Sequence, residues 1–83
     1  MYQLVIEKHA KKQLEKIDAR YLDQIILSIQ KLAINPRPYG SKKLKGRSGY
    51  RIRVNNYRII YHIQDSLLIV FVIDIDHRKD VYN

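Results

Sequence analysis

No cysteine occurs among the 83 residues, so neither a disulfide nor a thiolate metal site can support the fold. No apolar run approaches the roughly 18 residues needed to span a membrane; the longest extends from Leu67 to Ile73. The opening stretch, "MYQLVIEKHAKK", lacks the charged-then-apolar order of a secretory signal. These absences suggest a cytosolic protein with no membrane partner. There is no glycine-rich phosphate loop, no Ser-His-Asp order and no internal repeat. The three histidines share no carboxylate geometry, and Asp74 with Asp76 is insufficient for a ligand set, so no metal and no cofactor is expected. What remains is a single domain, 1–83, near the lower size limit for unaided folding.

Acidic residues are missing most conspicuously from the middle of the chain. From Pro36 to Gln64 there is none, while Arg37, Lys42, Lys43, Lys45, Arg47, Arg51, Arg53 and Arg58 fall in the same stretch. Overall, 16 Lys+Arg oppose 8 Asp+Glu, a formal charge of +8. Such a field attracts phosphate polymers, anionic membranes or acidic proteins, although a basic surface can also simply be solvated. An acid-free block within the structured half favours a polyanion site.

The hydrophobic periodicity divides the chain into helices, then strands. "YQLVI" reads as a short first strand. In "HAKKQLEKI", Ala10, Leu14 and Ile17 form one helical stripe. Asp18 is placed as the N-cap of a second helix, in which Leu22, Ile25, Ile26, Ile29, Leu32 and Ala33 follow helical spacing. Pro36 disfavours helical geometry at Asn35 and ends it. The two helices form an αα-hairpin, and "SKKLKGRSG" reads as a basic loop. After Gly49 the period becomes two. With Asn55-Asn56 as a hairpin turn, Val54 faces Tyr57, Arg53 faces Arg58, Ile52 faces Ile59, Arg51 faces Ile60 and Tyr50 faces Tyr61. One side then carries Tyr50, Ile52, Val54, Tyr57, Ile59, Tyr61 and Ile63; the other carries Arg51, Arg53, Arg58, Ile60 and His62. "LLIVFVI", apolar on both faces, reads as an interior strand. The expected fold class is α+β: an N-terminal strand, an αα-hairpin, then a three-stranded antiparallel meander forming a curved sheet.

Like charges directly opposite across a strand pair cost roughly 0.2–1 kcal/mol, and no nearby residue of the hairpin offsets Arg53 against Arg58. The guanidinium groups could bend into water with their stems on the sheet. Alternatively an anion sits between them, since arginine presents planar forks of donors to phosphate and stays protonated. The C-terminal "IDIDHRKDVYN" adds Arg78 and Tyr82 beside this face, with His77 next to them. Tyr82 could stack on a base or transfer a proton; it could equally patch the edge of the core.

Three segments in order, "NPRPYGSKKLKG", "YRIRVNNYRIIYHI" and "VFVIDIDHRKDVY", resemble the RelE branch of the RelE/ParE toxin superfamily, over almost the whole chain. The resemblance implies a toxin of a type II toxin–antitoxin system. It implies a metal-independent mRNA endoribonuclease (an mRNA interferase) that cuts on the ribosome through the RNA 2′-OH, restrained by a cognate antitoxin, expected here to be acidic. By the same resemblance, Arg51, Arg53, Arg58, Arg78 and Tyr82 are the catalytic residues; from the acid-free basic block, Lys42, Lys43, Lys45 and Arg47 are expected to contact RNA or ribosome. Some relatives have lysine in the "YRIRV" positions; arginine cannot act as a base in practice. His62 or His77 are therefore the candidate general bases. Asp76 stands where relatives commonly have glycine. Two other readings are a ParE-like inhibitor of DNA gyrase on the same fold and a non-catalytic basic nucleic-acid-binding module.

Overall fold

The computed structural model describes residues 1–77. Strand β1 (Gln3–Ile6) leads into helices α1 (Lys8–Glu15) and α2 (Ala19–Ile34). Four strands follow: β2 (Lys42–Lys43), β3 (Tyr50–Val54), β4 (Tyr57–Gln64) and β5 (Ile69–His77), with a short 3₁₀ turn at Asp65–Leu67 before the last. They form one five-stranded sheet in the order β1-β5-β4-β3-β2. β1 runs parallel to β5 and every other neighbour is antiparallel. The α+β architecture expected from the sequence is the one observed, enlarged by one strand.

The helical hairpin follows its local signals. The Asp18 carboxylate accepts from the Arg20 N–H at 2.9 Å and caps α2, satisfying a donor that the first helical turn cannot. Asn35, ahead of Pro36, is already extended (φ −143°, ψ 101°), as the proline ring requires. One side of α2 buries Ile25, Ile29 and Leu32 with Ala10 of α1 against Ile52, Tyr57, Ile59, Tyr61, Val70, Val72 and Ile75 of the sheet. Each such aliphatic side chain contributes about 1.5–3 kcal/mol of transfer free energy. Ile26, expected in this core by its spacing, is 38% exposed. The apolar arc of α2 is wider than the strip that the sheet covers, so its margin faces out. Tyr61 is fully buried and its hydroxyl donates to the Pro36 carbonyl at 2.7 Å; burial pushes its pKa up to about 12.

The β3–β4 register is the one read from the Asn55-Asn56 turn, from Val54–Tyr57 through to Tyr50–Tyr61. Asn55 takes the left-handed conformation (φ 55°) and its side-chain amide bonds to Gln24 Oε1 of α2, tying the turn to the helix layer.

Two expectations are corrected. The basic segment after the helices is not all loop. Lys42 and Lys43 pair with Arg51 and Tyr50 as an edge strand, and the Leu44 N–H donates to the Gly49 carbonyl at 2.9 Å. Two residues carry too little periodicity to be seen in sequence, and lysine suits an edge that must not recruit other strands. Likewise the final strand does not stop at Ile73 but runs on through Asp74 and Asp76 to His77. A β-bulge explains how. Ile60 pairs with Asp74 while Tyr61 pairs with Val72, leaving Ile73 without a partner on β4. With strict alternation Asp74 and Asp76 would share the core face of Val70 and Val72. The extra residue inverts the alternation, so Ile75 enters the core and the carboxylates leave it.

Candidate nucleic-acid interface

Residues directly opposite one another in a sheet share a face, so the register builds the open side of the sheet row by row. One row is Lys42–Arg51–Ile60–Asp74 and the next is Arg53–Arg58–Asp76. Arg51, Arg53 and Arg58 therefore do lie together, on the face opposite the buried core. Arg53 is exposed and Arg51 half-buried. Ile60 also points to this side, yet is only 3% exposed. Its neighbours there are Arg51, Arg58, His62 and Asp74 by register, whose stems can cover it.

Arg58 differs from the other two. Its Nη2 donates to Asp76 Oδ2 at 3.1 Å, and the two side chains are 29% and 39% exposed. Its Nε is buried with no hydrogen-bond partner among the described residues. The Arg53–Arg58 juxtaposition is thus not left unrelieved, as the hairpin sequence suggests. The bulge brings a carboxylate from β5 to the far side of Arg58. No local reading of the hairpin could find it, because it lies 18 positions away in the chain. Asp74, the other carboxylate that the bulge moves, is held by α1: it accepts from Gln13 Nε2 at 2.8 Å and lies 3.3 Å from His9 Nε2. Gln13 also accepts from the Ile75 N–H at 2.6 Å, capping the edge of β5 where β1 has ended.

The two candidate bases go to different places. His62 is on the arginine side, next to Gly49. A Cβ on Gly49 would meet the His62 ring at 2.7 Å, and Gly49 has φ +115°, so both space and conformation require glycine there. At about 3.3 Å per residue, His62 sits roughly 13 Å along β4 from Arg58. It lines a cavity of about 350 Å³ with Arg37, Lys43, Ser48 and Tyr50. His77 pairs with Tyr57 on the helix side, ring centroids 4.8 Å apart, and does not join the arginines. Lys42, Lys43, Lys45 and Arg47 are all exposed along the β2 edge and the turn after it. Arg78 and Tyr82 lie outside the described residues.

The model of the family "ParE toxin of type II toxin-antitoxin system, parDE" matches residues 4–82. A RelE-like toxin protein of Escherichia coli is 32% identical over 87 residues, covering 99% of this chain and 90% of that protein. The chain belongs to the RelE/ParE superfamily of type II toxin–antitoxin toxins. Among solved structures, the isolated E. coli RelE toxin superposes with a TM-score of 0.81 at 28% identity, covering 99% of this chain and 92% of that one. The toxin–antitoxin complex RelBE2 of Mycobacterium tuberculosis gives 0.82 at 25% identity, covering 93% and 98%.

In this toxin the sequence reading missed Tyr39. It is fully exposed at the rim of a cavity of about 280 Å³ that it shares with Gly40, Lys42, Arg51, Ile52 and Arg53. The cavity forms where β3 continues past the end of β2. An exposed aromatic beside three cations suits a nucleobase next to a phosphate. The only sequence signal was a tyrosine between Pro38 and Gly40, which fits any turn. On the opposite end of the sheet, Arg37 bonds Asp65 at 2.8 Å and the Tyr50 hydroxyl at 3.2 Å, and Tyr2 donates to Asp65 at 2.6 Å. Hydrogen bonds from Arg37, then from Tyr2, hold the Asp65 carboxyl below its ordinary pKa. Arg37 is thereby committed to a structural pair. Among the described residues no helix is long and apolar enough to cross a membrane.

Proposed function

We propose that this toxin is an mRNA endoribonuclease that cleaves through the RNA's own 2′-OH, without a metal, on mRNA presented by the ribosome. The observation that carries the reading is the Arg53–Arg58 pair with Arg51 beside it on the side of the sheet opposite the buried core. Attack by a 2′ oxygen on the adjacent phosphate requires an in-line arrangement and cations around a phosphorane-like transition state. Arg58, half-buried and paired with Asp76, is the pre-oriented clamp for the scissile phosphate. Arg51 and Arg53 position that phosphate and its neighbour. Lys42, Lys43, Lys45 and Arg47 track the RNA or ribosome backbone, and Tyr39 offers a surface for a base. From the family resemblance, Arg78 completes the clamp and Tyr82 stacks or gives a proton to the leaving oxygen.

Relatives such as RelBE2 of M. tuberculosis have been solved as toxin–antitoxin complexes. A cytoplasmic, acidic antitoxin complements the +8 charge of this chain and restrains it by covering the arginine face or displacing the tail.

The matching family model carries the name of ParE, so gyrase poisoning is the second reading. Both are tested together by incubating the purified full chain with ribosomes programmed with defined mRNA, and separately with gyrase and supercoiled DNA. RNA cuts, abolished by a 2′-deoxy sugar at the cut position, support the nuclease reading. Gyrase inhibition with intact mRNA overturns it.

A further inference from the structure

We propose that Asp76 is the general base of the cleavage, taking the proton from the attacking 2′-OH; this rests on the ribonuclease reading above. The reaction needs a proton acceptor next to the clamp, and the three arginines cannot serve. His77 is on the other side of the sheet, against Tyr57. His62 is separated from Arg58 by Ile60 and packs on Gly49. The Asp74 carboxylate is occupied by Gln13 and His9 of α1. Among the described residues, Asp76 is the carboxylate in line with the Arg53–Arg58 row, in contact with Arg58 at 3.1 Å and still 39% exposed. A phosphate held by Arg58 therefore brings its own ribose within reach of an acceptor already attached to the same guanidinium.

The step balances within the RNA. The O2′ proton passes to an Asp76 oxygen as O2′ bonds to phosphorus. The P–O5′ bond breaks, and the 5′ oxygen leaves with a proton from Tyr82, where that residue serves as the donor, or from solvent. The products are a 2′,3′-cyclic phosphate and a 5′-hydroxyl, and Asp76 then returns its proton to water. Among the described residues, the charged and titratable groups around Asp76 are Arg58 of β4, Arg53 of β3 beyond it, Asp74 along its own strand, held by His9 of α1, and His77, whose ring lies against Tyr57. The bulge at Ile73 is part of the device, because without it this carboxylate would face the core.

The test is single-turnover cleavage of programmed ribosomes by the parent and by Asp76→Asn, across pH, with thermal unfolding and RNA affinity measured on the same preparations. Asn keeps an oxygen for Arg58 but cannot take the proton. We expect a loss of about 100-fold or more in rate and disappearance of the acid limb of the pH–rate profile. We also expect RNA affinity to be equal or tighter, since a negative charge has left the cationic face. Asp76→Glu should recover part of the rate, and Asp74→Asn should keep the acid limb. If Asp76→Asn cuts within a few fold of the parent with the acid limb intact, the base is elsewhere while the nuclease reading stands. A loss of RNA affinity along with rate makes Asp76 only an anchor for Arg58 and overturns the proposal. If Asp76→Asn unfolds, Asp76→Glu decides: a folded Glu variant with the parent's acid limb and some rate supports the base, and a folded inactive one opposes it. A parent that leaves RNA whole removes the nuclease reading itself, and this inference with it.

Discussion

Alternate side chains of β3 and β4 end in two different environments. Ile52, Tyr57, Ile59 and Tyr61 lie under the helices, none more than 9% exposed, while Arg51, Arg53 and Arg58 come from the same strands and stand on the opposite side, whose β5 margin α1 reaches at Asp74. One side is closed: its buried tyrosine hydroxyl is bonded to Pro36, and its side chains form one buried cluster with Ile25, Ile29 and Leu32 of α2 and Val70, Val72 and Ile75 of β5. The other side is built at some cost to stability. Two guanidinium groups face each other, a bulge interrupts β5, and a donor of Arg58 is buried without a partner among the described residues. A side that exists only to fold would place Thr or Gln there. If the ribonuclease reading holds, substitutions on the first side should unfold the toxin and substitutions on the second should disarm it.

The largest expected effect is on the closed side. Ile59→Ala removes a fully buried side chain and should cost about 2–5 kcal/mol of stability. Denaturant unfolding will show it, and a loss below 1 kcal/mol would mean that the two sides do not differ as described. Next comes Arg53→Gln on the open side. It relieves the facing charges, so its midpoint of unfolding should hold or rise slightly, while cleavage drops by about 100-fold, the scale of a lost transition-state donor. If instead it unfolds, the open side is structural after all. Tyr61→Phe is a finer probe of the closed side. It strips the bond to Pro36 and leaves that carbonyl without its partner, a loss of about 1–3 kcal/mol with cleavage per folded molecule unchanged. RNA or ribosome binding should weaken with salt, with a log–log slope of about −3 if some four cations contact single-stranded phosphates; a flat response removes the phosphate-facing role of the open side. The smallest effect belongs to Asp65, at the far end of the sheet. Its pKa is lowered by Arg37 and Tyr2 in the folded state, so its contribution is present above the unfolded carboxylate value, near pH 4, and fades as pH falls through the lower folded value. Comparing unfolding of the parent and Asp65→Asn against pH should give a small gap, constant near neutrality and closing below about pH 4. A gap that widens in acid contradicts the pairing.

The hairpin was readable because its signals are local. Asn55-Asn56 marks the turn, and a one-residue slip would bury arginines. The second helix was readable for the same reason: a cap at Asp18, a stop at Pro36 and a stripe between them. Three features were not. β2 is two lysines long and becomes a strand only because β3 offers it an edge. Ile26 obeys helical spacing, but how far around α2 the sheet reaches is a matter of packing. The Arg58–Asp76 pair depends on a bulge whose position is set by which β5 residues must face the core, a requirement that strict alternation hides. The gathering of Arg51, Arg53 and Arg58 was therefore legible, and the carboxylate that joins them was not.

The most direct measurement of the central claim, that the arginine side of the sheet is the reactive surface, uses the Arg51→Gln/Arg53→Gln double variant. Its thermal unfolding and its cleavage of mRNA on programmed ribosomes should be followed in one preparation beside the parent. The expected result is a variant that still unfolds cooperatively, within a few degrees of the parent, with mRNA cutting reduced by at least about 100-fold. A folded double variant that cuts mRNA at the parent's rate would contradict it.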